Sequence, residues 1–176
     1  TDFSPATAGT GTHTITYTFT DGNGCVNSAT SDITVNALPT VTFAALADVC
    51  VDAADFALAG GSPAGGVYSG TGVSGTDFSP ATAGTGTHTI TYTYSDGNGC
   101  VNSATSDITV NALPVVTFAA LSDVCEDAAD FALSGGSPLG GTYSGTGVSG
   151  TDFSPATAGT GTHTITYTYT DGNGCV

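Results

Sequence analysis

The chain has 176 residues, of which fifteen are acidic, three are histidine and none is lysine or arginine, giving a net charge of −15. Because no side chain could neutralise phosphates, nucleic-acid binding is excluded and anionic membrane surfaces are disfavoured as partners. Since 39% of the residues are hydrophobic, the composition is that of a folded protein rather than a disordered one.

The sequence is a tandem repeat of constant period, because TDFSPATAGTGTHTITY begins at Thr1 and again at Thr76 and Thr151. Residues 1–75 and 76–150 differ at eight positions: Phe19/Tyr94, Thr20/Ser95, Thr40/Val115, Ala47/Ser122, Val51/Glu126, Ala59/Ser134, Ala64/Leu139 and Val67/Thr142. Such similarity predicts units that are stacked rather than individually specialised. An enzyme rarely needs one site three times in a row, so we expect no enzymatic activity.

Unit boundaries are predicted at the two NALP sequences, Asn36–Pro39 and Asn111–Pro114, where a strand-like run ends and a proline follows. This divides the chain into the C-terminal part of a truncated repeat (1–36), a complete repeat (37–111) and a repeat that lacks its last strand (112–176). We expect the natural protein to be longer at both ends, with a continuation of the chain filling the open edge of the third unit. The sequence contains no run of about 18 apolar residues, so we expect no membrane insertion in this segment.

Short strands and glycine-rich turns fill the first part of the complete unit. TVTFAAL alternates, with Val41 and Phe43 on one face. The acidic segment DVCVDAAD then leads to a short apolar piece at Phe56–Leu58, and GGSPAGG predicts a turn. A further short strand is predicted at Val67–Gly70.

The second part of the unit predicts a hairpin. After a glycine-punctuated connection with one short strand near Asp77 and Phe78, THTITYTYS alternates strictly over eight residues. DGNG then turns the chain, and CVNSATSDITVN is its predicted partner, with Ile108 and Val110 pointing inward. The inward face of the first strand holds His88, Ile90, Tyr92 and Tyr94.

These elements predict an all-β fold built of tandem immunoglobulin-like β-sandwich repeats that form an extended rod. Six or seven short strands separated by Gly, Pro, Asn and Asp turns are typical of such a sandwich, and no segment of ten or more residues has a helical period. The tryptophan usual in antibody domains is missing.

One cysteine per half-repeat predicts disulfide bonds in an oxidising compartment. We expect pairing within units, Cys50 with Cys100 and Cys125 with Cys175, because a small unit with a modest core needs its own cross-link. The partner of Cys25 would then lie outside the sequence. The alternative pairs Cys25 with Cys50 and Cys100 with Cys125, and a third interpretation leaves all five thiols free.

The strongest candidate for a metal site is the acidic loop next to the first cysteine of each unit. Several carboxylates within eight residues repel one another unless they are solvated or bind a cation, and calcium prefers oxygen ligands. No cofactor is required by the sequence; calcium is the one candidate, and a plain solvated loop is the alternative. The candidate ligands are Asp48, Asp52, Asp55, Asp123, Glu126, Asp127 and Asp130.

Other chemical motifs have structural explanations. Gly70, Gly72 and Gly75 match GxGxxG, but no amphipathic helix follows to bind a pyrophosphate, so we interpret them as turn glycines. A single histidine per unit, such as His88, favours packing over catalysis. Threonine ladders could bind carbohydrate, although threonine is also common on exposed strand faces.

The segment ITYTYSDGNGC resembles the Ig-like and PKD-like repeats of giant cell-surface proteins of Bacteroidota, whose units end in a Thr/Tyr-rich strand, an Asp-Gly/Ala-Asn-Gly-Cys turn and a Thr-rich strand. The resemblance implies secretion, commonly by the type IX route, and a role in surface adhesion, gliding or matrix.

We therefore expect a structural repeat segment of a long extracellular, cell-surface or secreted bacterial adhesin or filament. Its expected partners are neighbouring repeats of the same chain and other copies in a fibre. The alternative is that the repeats themselves bind glycan or a partner surface, with or without calcium.

Overall fold

Strands dominate the computed structural model, which describes residues 2–176. Residues 2–36 contain helix α1 (Pro5–Ala8) and strands β1 (Gly11–Thr20) and β2 (Val26–Val35). The complete unit contains β3 (Thr42–Phe43), β4 (Val49–Cys50), β5 (Phe56–Ala57), β6 (Gly61–Ser62), β7 (Val67–Ser69), β8 (Val73–Ser74), β9 (Asp77–Phe78), α2 (Pro80–Ala83), β10 (Gly86–Ser95) and β11 (Val101–Asn111). The third contains β12 (Thr117–Phe118), β13 (Phe131–Ala132), β14 (Gly136–Ser137), β15 (Thr142–Ser144), β16 (Val148–Ser149), β17 (Asp152–Phe153), α3 (Pro155–Ala158) and β18 (Thr166–Thr168).

The complete unit is organised around the hairpin of β10 and β11, which pair antiparallel from Gly86 opposite Val110 to Ser95 opposite Val101. Strand β7 adds to one edge of this hairpin, and β4 adds to the other edge in parallel, giving the order β4-β11-β10-β7. A three-stranded sheet in the order β5-β9-β8 and the pair β3-β6 complete the unit.

The core of the complete unit lies between the long hairpin and the shorter strands. Its buried cluster consists of Leu58, Phe78, Ile90, Ile108 and Val110. Successive side chains of a strand point to opposite faces, so the alternation of ITV places both Ile108 and Val110 in this cluster, together with Ile90 of the neighbouring strand. Phe78, Ile90 and Ile108 are fully buried, and the alternating pattern predicted this for Ile90 and Ile108.

The third unit repeats these pairings as far as its residues allow. Strand β12 pairs with β14, β15 with β18, and the order β13-β17-β16 matches β5-β9-β8. No described strand corresponds to β11, and β18 accordingly has three residues where β10 has ten. A long strand therefore forms in these units only where its hairpin partner is present to pair with it.

The first hairpin, β1 with β2, has the register of β10 with β11 but stands apart from any other sheet. Its apolar face is consequently open to solvent. Tyr17 is 70% exposed, whereas its counterpart Tyr92 is 2% exposed. The same sequence is thus buried or exposed according to whether the rest of the unit packs against it.

The structure confirms the all-β class and the main predicted strands, including the hairpin and the short strand at Asp77–Phe78. The sequence patterns missed three two-residue strands of the complete unit, β4, β6 and β8. They also missed the single helical turn α2, which begins at Pro80, where a fixed φ suits the first helical position.

Candidate functional site

The histidine of each unit makes the same backbone contact. The Nε2 atom of His88 lies 2.9 Å from the carbonyl oxygen of Gly84, the C-cap residue that follows helix α2. His13 and His163 make the equivalent contacts with Gly9 and Gly159, also at 2.9 Å. A carbonyl can only accept, so each imidazole donates from Nε2 and ties the end of the helical turn to the following strand.

Tyr92 occupies a narrow slot between two glycines. Its hydroxyl donates to the carbonyl of Pro63 at 2.6 Å and accepts from the backbone N–H of Gly66 at 2.7 Å. A Cβ atom added to Gly61 would lie 2.6 Å from the ring of Tyr92, and one added to Gly66 would lie 2.5 Å from the Tyr92 Cζ atom. The GGSPAGG sequence is therefore the wall of a tyrosine slot as well as a turn.

The same slot recurs in the third unit. The hydroxyl of Tyr167 donates to the carbonyl of Pro138 and accepts from the N–H of Gly141 at 2.8 Å. The rings of Tyr143 and Tyr167 lie 4.8 Å apart, the distance that also separates Tyr68 from Tyr92. Two tyrosines of each unit are thus engaged in packing: Tyr68 and Tyr92, and Tyr143 and Tyr167.

The DGNG turn uses its aspartate to hold the backbone. The Asp96 carboxylate accepts from the N–H groups of Asn98 and Cys100, both at 2.9 Å. In the first hairpin, the N–H groups of Cys25 and Asn23 hold the pKa of the Asp21 carboxyl below its ordinary value, because they stabilise the charged form. This confirms the interpretation of DGNG as a hairpin turn.

The seven candidate calcium ligands of the acidic loops, Asp48, Asp52, Asp55, Asp123, Glu126, Asp127 and Asp130, are all exposed. The Asp48 carboxylate accepts from the N–H of Thr109 at 2.9 Å and so connects this loop to β11. Across residues 2–176, no three His, Cys, Asp or Glu side chains are grouped as metal ligands would be. Calcium binding by these loops stays a prediction.

The GxGxxG glycines serve the backbone. Gly70, Gly72 and Gly75 have φ angles of 148°, 81° and 63°. At Gly72, an added Cβ would also lie 2.7 Å from the Cβ of Ala83, so this glycine lets helix α2 approach the preceding turn. The turn interpretation is confirmed at these three positions.

The cysteines do not pair as predicted. The single disulfide within residues 2–176 joins Cys50 to Cys175, with the two Cα atoms 5.6 Å apart. Cys25, Cys100 and Cys125 are free. The predicted pairs Cys50–Cys100 and Cys125–Cys175 are therefore wrong, and so are the alternative pairs Cys25–Cys50 and Cys100–Cys125.

The distance along one strand explains why the predicted pair cannot form. Cys50 lies opposite Asn111 at the end of β11, whereas Cys100 directly precedes Val101 at the start of that strand. Eleven residues at a rise of about 3.4 Å each separate these ends by roughly 35 Å. A disulfide needs Cα atoms within about 7 Å of each other.

No protein-family model matches the chain, and neither does any curated protein. No helix in residues 2–176 has the length and apolar character needed to cross a membrane.

The third unit contains an open groove, which the sequence patterns did not predict. Its volume is about 500 Å³, and its apolar wall includes Leu121, Val124, Phe131, Phe153 and Ile165. In the complete unit, the corresponding space is filled by β11, whose Ile108 and Val110 are buried against Phe78 and Ile90. The groove is therefore the place of a β-strand of the β11 type.

Proposed function

We propose that this chain is a structural segment of a long extracellular bacterial surface adhesin or filament, which extends and presents other domains. The observation that carries this proposal is repetition of contacts. The histidine, tyrosine and aspartate side chains that resemble a reactive site form the same intra-unit hydrogen bonds in successive units. Side chains occupied in this way support a scaffold rather than an enzyme.

The units are proposed to be immunoglobulin-like β-sandwiches with the boundaries 1–36, 37–111 and 112–176. Supporting this is the core of the complete unit, which is enclosed by the four-stranded hairpin sheet on one side and the short strands on the other. The core is small, which suits a unit that is repeated many times rather than one that stands alone.

The extracellular location is supported by the disulfide, since such bonds persist mainly in oxidising compartments. The resemblance to Bacteroidota surface repeats points to the same compartment. An antibody raised against the chain should label intact cells of the source organism as strongly as permeabilised cells. Labelling confined to permeabilised cells would contradict the proposal.

An end-to-end arrangement is supported by the position of the hairpin tip. The Nδ2 atom of Asn102, next to the tip, donates to the carbonyl of Pro39 at 2.9 Å, so the tip lies at the end where the unit begins. The opposite end of β11 leads directly into the next unit. Each unit would then advance the chain by about 35 Å, the length of its long strand.

Small-angle scattering of the whole chain tests this arrangement. Two and a half units in line would have a radius of gyration of about 25 Å, whereas a compact protein of this length has one of about 16 Å. A value near the smaller figure would show that the units fold back on one another and would refute the rod.

The alternative function, glycan binding, is favoured by one observation. The exposed face of each long hairpin carries paired hydroxyls: Thr87 with Thr109, and Thr12 with Thr34, at 3.4 and 3.2 Å. A glycan array probed with the whole chain, with and without EDTA, tests it. Binding that Thr12→Val and Thr87→Val together abolish and Thr76→Val preserves would favour this alternative.

A further inference from the structure

The disulfide joins two different units. Cys50 belongs to the acidic loop of residues 37–111, and Cys175 follows the DGNG turn of residues 112–176, at a sequence separation of 125. Hereafter Cys50 and Cys125 are the loop cysteines, and Cys25, Cys100 and Cys175 are the turn cysteines. The bond therefore connects a loop cysteine to the turn cysteine of the next unit.

The positions of the two cysteines within a unit explain this connection. The loop cysteine lies where β11 ends and the following unit begins, since Cys50 pairs with Asn111 and Val51 N–H donates to the Asn111 carbonyl at 2.9 Å. The turn cysteine lies at the opposite end, where its own unit begins. At a junction, the loop cysteine of one unit thus faces the turn cysteine of the next.

Burial agrees with this assignment. Cys175, which has its partner, is 1% exposed. Cys25 and Cys125 are exposed and Cys100 is partly exposed. The same DGNGC sequence thus has a buried cysteine where a loop cysteine of the preceding unit reaches it and a more accessible one at Cys25 and Cys100.

We propose that every junction in an array of these units is closed by one disulfide between a loop cysteine and the turn cysteine of the following unit, at the separation that joins Cys50 to Cys175. The repeat period makes the three free cysteines equivalent to the two that are bonded. At that separation, the partners of Cys25 and Cys100 would lie before Thr1, and the partner of Cys125 would lie after Val176. One bond is therefore the number that this rule allows within residues 1–176.

The Cys125 position also shows which structural step must precede formation of a disulfide bond there. Strand β4, which contains Cys50, exists because it pairs with β11. Residues 124 and 125 form no strand in the third unit, and Val124 is 47% exposed. A strand of the β11 type must therefore fill the open groove before Cys125 is held at the junction.

Formation of each bond is an oxidation of two thiols. With oxidised glutathione as the oxidant, the two cysteine sulfurs become joined, the glutathione disulfide is cleaved, and two molecules of reduced glutathione carry away the two protons and two electrons. This thiol–disulfide exchange needs no other group of the protein besides the loop and turn cysteines.

The consequence for a long array is mechanical, and here the inference rests on the proposed structural function. Under tension, the shortest covalent path along the array runs through the bond from Cys50 to Cys175. Beyond Cys175, only the short segment up to the next loop cysteine can extend before the path reaches the next bond. Bonds within units would leave one such segment in every unit, whereas bonds between units leave one in every second unit. Pairing across junctions thus halves the extensible chain.

The first test maps the disulfide in the whole chain. Trypsin has no sites here, but cleavage before aspartate separates the peptides that contain Cys50, Cys125 and Cys175. Under non-reducing conditions, we expect the Cys50 peptide joined to the Cys175 peptide, and Cys100→Ser should leave that linkage and the melting temperature unchanged. Cys175→Ser should abolish the linkage. A bond from Cys50 to Cys100 would overturn the proposal.

The second test extends the chain by one unit, adding a copy of residues 102–176 after Val176 and oxidising with glutathione. We expect a second bond, from Cys125 to the turn cysteine of the added unit, alongside the bond from Cys50 to Cys175. A free Cys125, or one bonded within its own unit, would overturn the rule. Neither result would alter cell-surface labelling or scattering, so the structural function could stand if the disulfide rule failed.

Discussion

Replacing Tyr92 by phenylalanine tests whether the tyrosine slot holds the complete unit together. The change removes only the hydroxyl, which bonds to the Pro63 carbonyl at 2.6 Å and the Gly66 N–H at 2.7 Å. A buried polar group that loses its partner costs about 1–3 kcal/mol, and water will reach the partly buried glycine, so we expect about 2 kcal/mol. The equilibrium constant for opening the unit should then rise roughly 30-fold.

Hydrogen exchange measured by mass spectrometry is the suitable assay, because it reports on each unit separately. Peptides from β10 and β1 can be told apart, since Tyr94 replaces Phe19 and Ser95 replaces Thr20. The matched control is Tyr17→Phe, at the equivalent position of a hairpin where the ring is 70% exposed. It should change stability by less than about 0.5 kcal/mol. Equal protection of β10 in the wild type and Tyr92→Phe would refute the slot.

Three further predictions concern the slot wall, the open groove and the acidic loops. Gly61→Ala should lower the urea midpoint of the complete unit, because its Cβ would lie 2.6 Å from the Tyr92 ring. Gly97→Ala should leave the midpoint unchanged, because no atom lies within 4 Å of an added Cβ there. Equal urea midpoints for the two variants would contradict the close contact. A peptide VNSATSDITVN should bind the third unit and slow hydrogen exchange in β18. A peptide with serine in place of its isoleucine and last valine should do neither. Equal binding of both peptides would exclude the groove as a strand site. If the acidic loops bind calcium, EDTA should lower the melting temperature of the purified chain and added calcium should restore it; an unchanged transition would count against the site.

Periodicity predicted the parts of the fold in which the alternation of residues within one strand determines which side chains are buried. The alternation around Ile90 and Tyr92 placed both residues in the core, and the DGNG sequence located the turn. The slot was not predictable, because Gly61 and Gly66 are separated from Tyr92 by several intervening strands and their role appears only when the sheets are packed.

The disulfide pairing was wrong for a physical reason. Loop-closure entropy differs by only about 0.6 kcal/mol between loops of about 25 and about 50 residues, so it could not choose between pairs. The choice is made by direction: the long hairpin carries Cys100 to one end of the unit, while β4 holds Cys50 at the other. That parallel pairing of two residues leaves no periodic signal in the sequence.

Stretching single chains between their two ends tests the central claim, that these units bear load through bonds across their junctions. Without reductant, the segment between Cys50 and Cys175, with its sequence separation of 125, should not extend. Reductant should then release up to about 450 Å of additional contour length, at about 3.6 Å per residue. Full extension without reductant, or a gain of only about 360 Å, as two loops of about 50 residues within units would give, would contradict the account.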